Sequence, residues 1–166
     1  MLDAASALKS FLKRWWIVII IPTLCIVVFA VFLGYEFLVK LPEAKQVTTQ
    51  LEIELNAIAH LPNADVVAHS SSYDPGRALV NAKYSTDSRS EDVFKYYDEQ
   101  LRQHGWQFYQ TKGMKDWGRD LGGKLVDYCK GDYEAELFYA GQKANYGWTY
   151  SLDMSWGLHD YCKAGK

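Results

Sequence analysis

The chain has 166 residues, with 18 Lys+Arg against 20 Asp+Glu, 12 Tyr, 6 Trp and 3 Cys. Once an apolar N-terminal run is set aside, that length holds one domain of ordinary size. A formal charge of −2 with no basic stripe gives no footprint for nucleic acid or anionic lipid.

Residues 1–14 form a short tail carrying Lys9, Lys13 and Arg14 against Asp3 alone. From Trp15 to Leu33 no residue is charged. At ~1.5 Å per residue a helix of that length spans roughly 28 Å, close to the hydrocarbon thickness of a bilayer. Trp15 and Trp16 at one boundary and Tyr35 at the other are placed as membrane-interface anchors. Pro22 sits near one end of the run, where its cost is absorbed locally. A cleaved signal would end in a small-x-small site, whereas this run closes on Val31-Phe32-Leu33-Gly34-Tyr35. Residues 15–34 therefore read as a retained transmembrane anchor. Basic residues resist translocation, so the tail is expected in the cytoplasm and the rest of the chain outside it. In a Gram-negative bacterium that means the inner membrane and the periplasm.

Residues 35–50 read as a juxtamembrane linker, with Pro42 ending any continuous helix. In 51–61, Leu51, Leu55, Ile58 and Leu61 fit a short helix, and Ile53–Ile58 also fits a strand. Ala64–Tyr73 reads as a strand, Pro75-Gly76 as a turn, and Ala78–Thr86 as a second strand. Ser88 with Glu91 makes a capping-box pattern before a helix whose apolar stripe is Val93, Tyr97, Leu101 and His104, ended by Gly105. Trp106–Gln110 begins a strand with Trp106 and Phe108 on one face, and Thr111–Gly123 reads as a glycine-punctuated loop. Lys124–Lys130 and Tyr133–Ala140 form a hairpin about Gly131-Asp132. After a loop, Trp148, Tyr150, Leu152, Met154 and Trp156 alternate with polar residues, as in a half-buried strand. The strands cluster instead of alternating with helices. The fold class is therefore α+β: one N-terminal transmembrane helix, then residues 51–166 as an antiparallel sheet with one main helix packed on it.

Cys25 lies in the apolar run, leaving Cys129 and Cys162 for the exported part. In an oxidising compartment they form a disulfide candidate closing a loop of about 33 residues, worth roughly 3–4 kcal/mol, with two separate buried thiols as the alternative.

The run Ala78–Trp106, "ALVNAKYSTDSRSEDVFKYYDEQLRQHGW", resembles small α+β envelope domains of bacterial lipoproteins and single-span proteins. The resemblance implies a helix-on-sheet core and an assembly or accessory role, and carries no binding residues with it.

Catalytic signals are sparse. His60, His69, His104 and His159 lie outside zinc spacings, and no P-loop, haem or dinucleotide motif occurs. No metal or cofactor is expected. His159-Asp160 could pair as base and orienting carboxylate, without a marked nucleophile. Ser70-Ser71-Ser72 reads as a strand end, and the pairs Asp116/Asp120 and Glu134/Glu136 as solvated surface. Trp117 and Tyr146 each sit in a polar, Gly-containing loop and are the interface candidates. The expectation is a non-enzymatic accessory subunit whose partners are the membrane and other subunits of a membrane complex. A binding module for lipid, glycan or peptide and an envelope hydrolase are the alternatives.

Overall fold

The charge-free run folds as helix, as its length and composition require. In the computed structural model, which describes residues 3–116, 118–141, 144–159 and 161–163, α1 covers Asp3–Tyr35 with Pro22 inside it. The side chains of residues 3–15, 17–19 and 116 lie outside that description. Every side chain from Ile20 to Leu33 is exposed, and the helix is long and apolar enough to cross a membrane.

Residues 35–50, expected as a linker with Pro42 ending any continuous helix, are helical throughout. Glu36–Lys40 is π-helical, closed by a Lys40–Glu36 ion pair of 2.7 Å. It is followed by a 17-residue helix, α2, at Leu41–Ala57. Pro42 is the second residue of α2 and follows the π-helical turn Glu36–Lys40 without a break, so the helical backbone runs through it instead of ending there. Ala44, Thr48, Leu51 and Leu55 recur every three or four residues and are buried. The strand alternative at 53–58 is not adopted. The chain accordingly divides into two compact units, Met1–Lys40 and Leu41–Lys166, the second starting ten residues earlier than the expected 51.

Within the second unit the strands are β1 (Asp65–Asp74), β2 (Arg77–Ser85), β3 (Gln107–Asp116), β4 (Arg119–Lys130), β5 (Tyr133–Tyr139) and β6 (Tyr150–Trp156). They form one antiparallel sheet in the order β1-β2-β6-β5-β4-β3. Between β2 and β3 lies α3, Ser90–Gln103.

Residues at alternate positions share a sheet face. One face gathers Val80 and Ala82, Leu152 and Met154, Ala135 and Leu137, and Val126 and Tyr128, with Leu51, Leu55, Val93, Tyr97 and Leu101 from the helices in the same buried cluster. The Tyr97 and Tyr150 hydroxyls meet there at 3.2 Å.

Two local expectations change and a third is qualified. The capping box does not form: α3 starts at Ser90, and the Ser88 amide donates to the Thr86 hydroxyl at 3.2 Å instead. Thr111–Gly123 is mostly hairpin, because Lys115 pairs with Asp120 and Asp116 with Arg119 across its end. Its glycines mark a turn and an irregular register, which a sequence reading takes for a loop. Phe108 pairs with Tyr128 on the core face that also holds Trp106, as expected, but at this edge, just before a bulge at Phe108/Gln110, it is left exposed while Trp106 is buried.

Candidate functional site

The second face of the sheet was expected to be solvated, and it is not. β6 buries Ser151 and Ser155 as well as its apolar side chains, and Glu134 on β5 is only 1 % exposed. Over Glu134 and Ser155 the cover is the segment after β6, while Ser151 lies between Phe138 and Lys83, both in contact with Trp148. Gly157, in the left-handed region at φ 71°, lies directly against the Gly76 carbonyl of the β1–β2 turn. The chain then runs back to Cys162, which is bonded to Cys129 of β4 at an S–S distance of 2.01 Å.

Register alone lines up a polar row under this segment. Gln110, Asp127, Glu136, Asp153 and Asn81 are successive cross-strand neighbours on β3, β4, β5, β6 and β2. Three adjacent carboxylates repel unless they are paired or protonated. Asp127 is fully buried, receiving Gln110 at 2.7 Å and Lys112 at 2.9 Å on Oδ2, while Oδ1 has no hydrogen-bond partner. Asn81 donates its side-chain amide to Asp153. Glu136 faces His159 Nε2 at 3.5 Å. One row over, Glu134 Oε2 accepts the Ser155 hydroxyl at 3.0 Å and the His159 amide at 3.2 Å. Burial raises the pKa of Glu134, Glu136 and Asp153 above the ordinary carboxylate range; Asp127 and Asp153 push Glu136 further up, and His159 opposes them. Burial, then Glu136, Asp127 and Glu134, hold the Tyr161 phenol above its usual value.

A groove of about 300 Å³ opens beyond the other end of β5, lined by Met114, Leu121, Phe138, Tyr146 and Trp148. Trp148 was expected on the core face with Tyr150. Instead it precedes β6 and stacks on Tyr146 at 5.5 Å, touches Phe138 at 5.5 Å, and carries the Lys83 ammonium 5.3 Å over its ring. Gly147, at φ 74°, lies between the two stacked residues in the chain, and the backbone bends again at Thr149 before β6 begins.

Of the interface candidates, Tyr146 lies on the rim of this groove, 39 % exposed, and Trp117 lies outside the described residues. Trp16 and Tyr35 are exposed on α1, and the Trp15 side chain lies outside the description. Asp160 also lies outside it. His159 faces Glu136 and Ser155 donates to Glu134, so these described residues do not make a Ser–His pair. Ser70–Ser72 lie within the exposed strand β1. His60 stacks near Tyr84 at 6.2 Å, and His104 caps α3 through its backbone. Among the described residues no group of three or more His, Cys, Asp or Glu could hold a metal ion. Alternation along β5 did reveal that Glu134 and Glu136 share a face; that this face is covered depends on a return of the chain with no local signature.

No protein-family model, curated protein or solved structure matches the chain.

Proposed function

We propose that the chain is a single-pass, membrane-anchored accessory or assembly subunit. Its N-terminal tail is cytoplasmic, and its sheet domain sits on the outer side of a bacterial inner membrane, docked on a larger complex; photosynthetic and respiratory assemblies are candidate hosts. This reading assigns the chain no enzymatic activity.

The aromatic groove carries the reading. It brings the β3–β4 hairpin and the segment around Tyr146, two stretches distant in sequence, to one apolar surface. Its occupant is an apolar segment of a neighbouring subunit: Tyr146 and Trp148 offer large, rigid area at small entropic cost, as interface anchors do. Two further observations support the placement. The exposed apolar side chains of α1 need a lipid or protein environment. The Cys129–Cys162 bond belongs to an oxidising compartment, which for this topology is the outer one.

The same aromatic lining favours a second reading, a binding module for a small glycan or lipid headgroup. A photo-crosslinking amino acid at Leu121, in native membranes, separates the two. The docking reading expects a cross-link to one integral-membrane protein, lost with Tyr146→Ala and Trp148→Ala, and a native-gel mobility above that of the free chain. A small mass increment with the mobility of the free chain would move the assignment to the ligand-binding module. Neither adduct would remove both.

A further inference from the structure

The Cys129–Cys162 bond differs in setting from a disulfide sealed in a core. It borders a pocket of about 280 Å³ whose lining includes both cysteines, Gly105, Phe108, Tyr109 and Tyr161. Gly105 contributes no side chain to that wall, and Phe108 and Tyr109 stand 46 % and 47 % exposed at its rim. Cys162 is buried and Cys129 half-buried, so Cys129 Sγ is the sulfur an incoming nucleophile reaches more readily. We propose that this pocket is a thiol–disulfide exchange site, at which a dithiol reductant opens the bond and frees the segment after β6 from the polar face of the sheet.

The step balances without further reagents. A reductant thiolate attacks Cys129 Sγ, a mixed disulfide forms, and the Cys129–Cys162 bond breaks with Cys162 leaving as thiolate. The reductant's second thiol then attacks the mixed disulfide and releases Cys129. Two electrons pass to the protein, the dithiol becomes a disulfide, and its two protons end on the two cysteines. Tyr109 and Tyr161 stack at 5.0 Å, and Lys112 lies 5.8 Å over the Tyr161 ring.

The consequence is local because of what the bond holds. The strands are joined by backbone ladders in which no described residue after Trp156 takes part. The contacts that hold the described part of the final segment to the sheet include the disulfide, the His159 contacts with Glu134 and Glu136, the Tyr161 stack and the approach of Gly157 to the Gly76 carbonyl. Covering Glu134 and Glu136 opposes closure, since both carboxyls lose hydration beneath it. The covalent bond offsets that cost, and cutting it lets water return to the carboxylates. This inference is independent of the docking groove.

The test uses the full chain in detergent micelles without denaturant. Millimolar dithiothreitol, or a reduced Cys-x-x-Cys protein, is added, followed by iodoacetamide and hydrogen-exchange mass spectrometry. Both Cys129 and Cys162 should become alkylated. Exchange in residues 157–163 should rise more than tenfold while β5 and β6 stay protected. The double variant Cys129→Ser/Cys162→Ser should give the same exchange pattern without reductant. Alkylation only after urea would overturn the proposal, as would loss of β5 and β6 protection on reduction or failure of the double variant to fold.

Discussion

At the residue scale, two buried polar arrangements bear opposite signs. The Tyr97–Tyr150 hydroxyl pair is satisfied within the core, and burial pushes Tyr150 up to about 12, so it stays neutral at physiological pH. Tyr97→Phe leaves the Tyr150 hydroxyl without that partner and should cost about 1 kcal/mol in urea unfolding. The double change with Tyr150→Phe should cost less than the sum of the two single changes, because neither orphan remains. Additive costs would mean that the hydroxyls do not interact. Glu134 works the other way: its folded pKa lies above its ordinary 4.5, chiefly through burial. Such a group contributes stability that is full below the unfolded value and is lost as pH rises through the folded one. Glu134→Gln keeps an acceptor for Ser155 and the His159 amide and removes the desolvated charge. Its melting temperature should exceed that of the parent at pH 7, with the gain fading as pH falls toward 4. Parallel melting curves across that range would refute the assignment.

At the scale of elements, glycines set where several of them end. α3 closes with Gly105 at φ 84°, its N–H bonded to the Arg102 carbonyl and that of Trp106 to Leu101, both at 3.0 Å. That is a Schellman arrangement, and the core contains both Leu101 and Trp106. An added Cβ at Gly105 would meet only Lys130 at 3.8 Å, so Gly105→Ala should cost the backbone term alone, about 1 kcal/mol. At Gly157 the Cβ would collide with the Gly76 carbonyl as well, so Gly157→Ala should lower the melting temperature more. Equal losses would show that the approach of that turn is not tight. The same distinction explains what the sequence could reveal. Strand and helix identity were legible wherever one face met the core, as in Tyr150, Leu152 and Met154 or Val93, Tyr97 and Leu101, because burial imposes a period. The outer half of the β3–β4 hairpin was not, since its pairing satisfies backbone groups and leaves no apolar alternation. α2 was misjudged because Pro42 reads as a breaker, whereas the helical backbone runs through it directly after a π-helical turn. Around the groove, the loop position of Tyr146 was legible, whereas the departure of Trp148 from the alternation of β6 was not, because the backbone bends between them and the strand. At the edge, β1 is exposed along its whole length; its polar Ser70–Ser72 run, its bulge at Val66/Ala68 and its terminal aspartates discourage unintended pairing.

At the scale of the whole molecule, the two units carry different chemistry, and on the proposed reading the first decides where the second works. α1 exposes an apolar surface from Ile20 to Leu33 that water would not favour, while Leu41–Lys166 buries a core of its own. If α1 spans the bilayer, its direction is fixed by charge near its ends. Lys9, Lys13 and Arg14 stand before the run, and after it Glu36 and Lys40 pair within one turn and largely cancel. Orientation thus depends on three side chains, and it fixes the compartment in which Cys129 and Cys162 meet. Reversing them together, Lys9→Glu, Lys13→Glu and Arg14→Glu, should invert a substantial fraction of molecules. In spheroplasts, external protease should digest the domain of the parent and spare that of the inverted chains. The inverted fraction should also carry reduced Cys129 and Cys162, read as two added alkyl groups, because the cytoplasm does not sustain the bond. Protection of the parent's domain from external protease would place it inside and refute the orientation. Full digestion of the triple variant would show that the three charges do not set it.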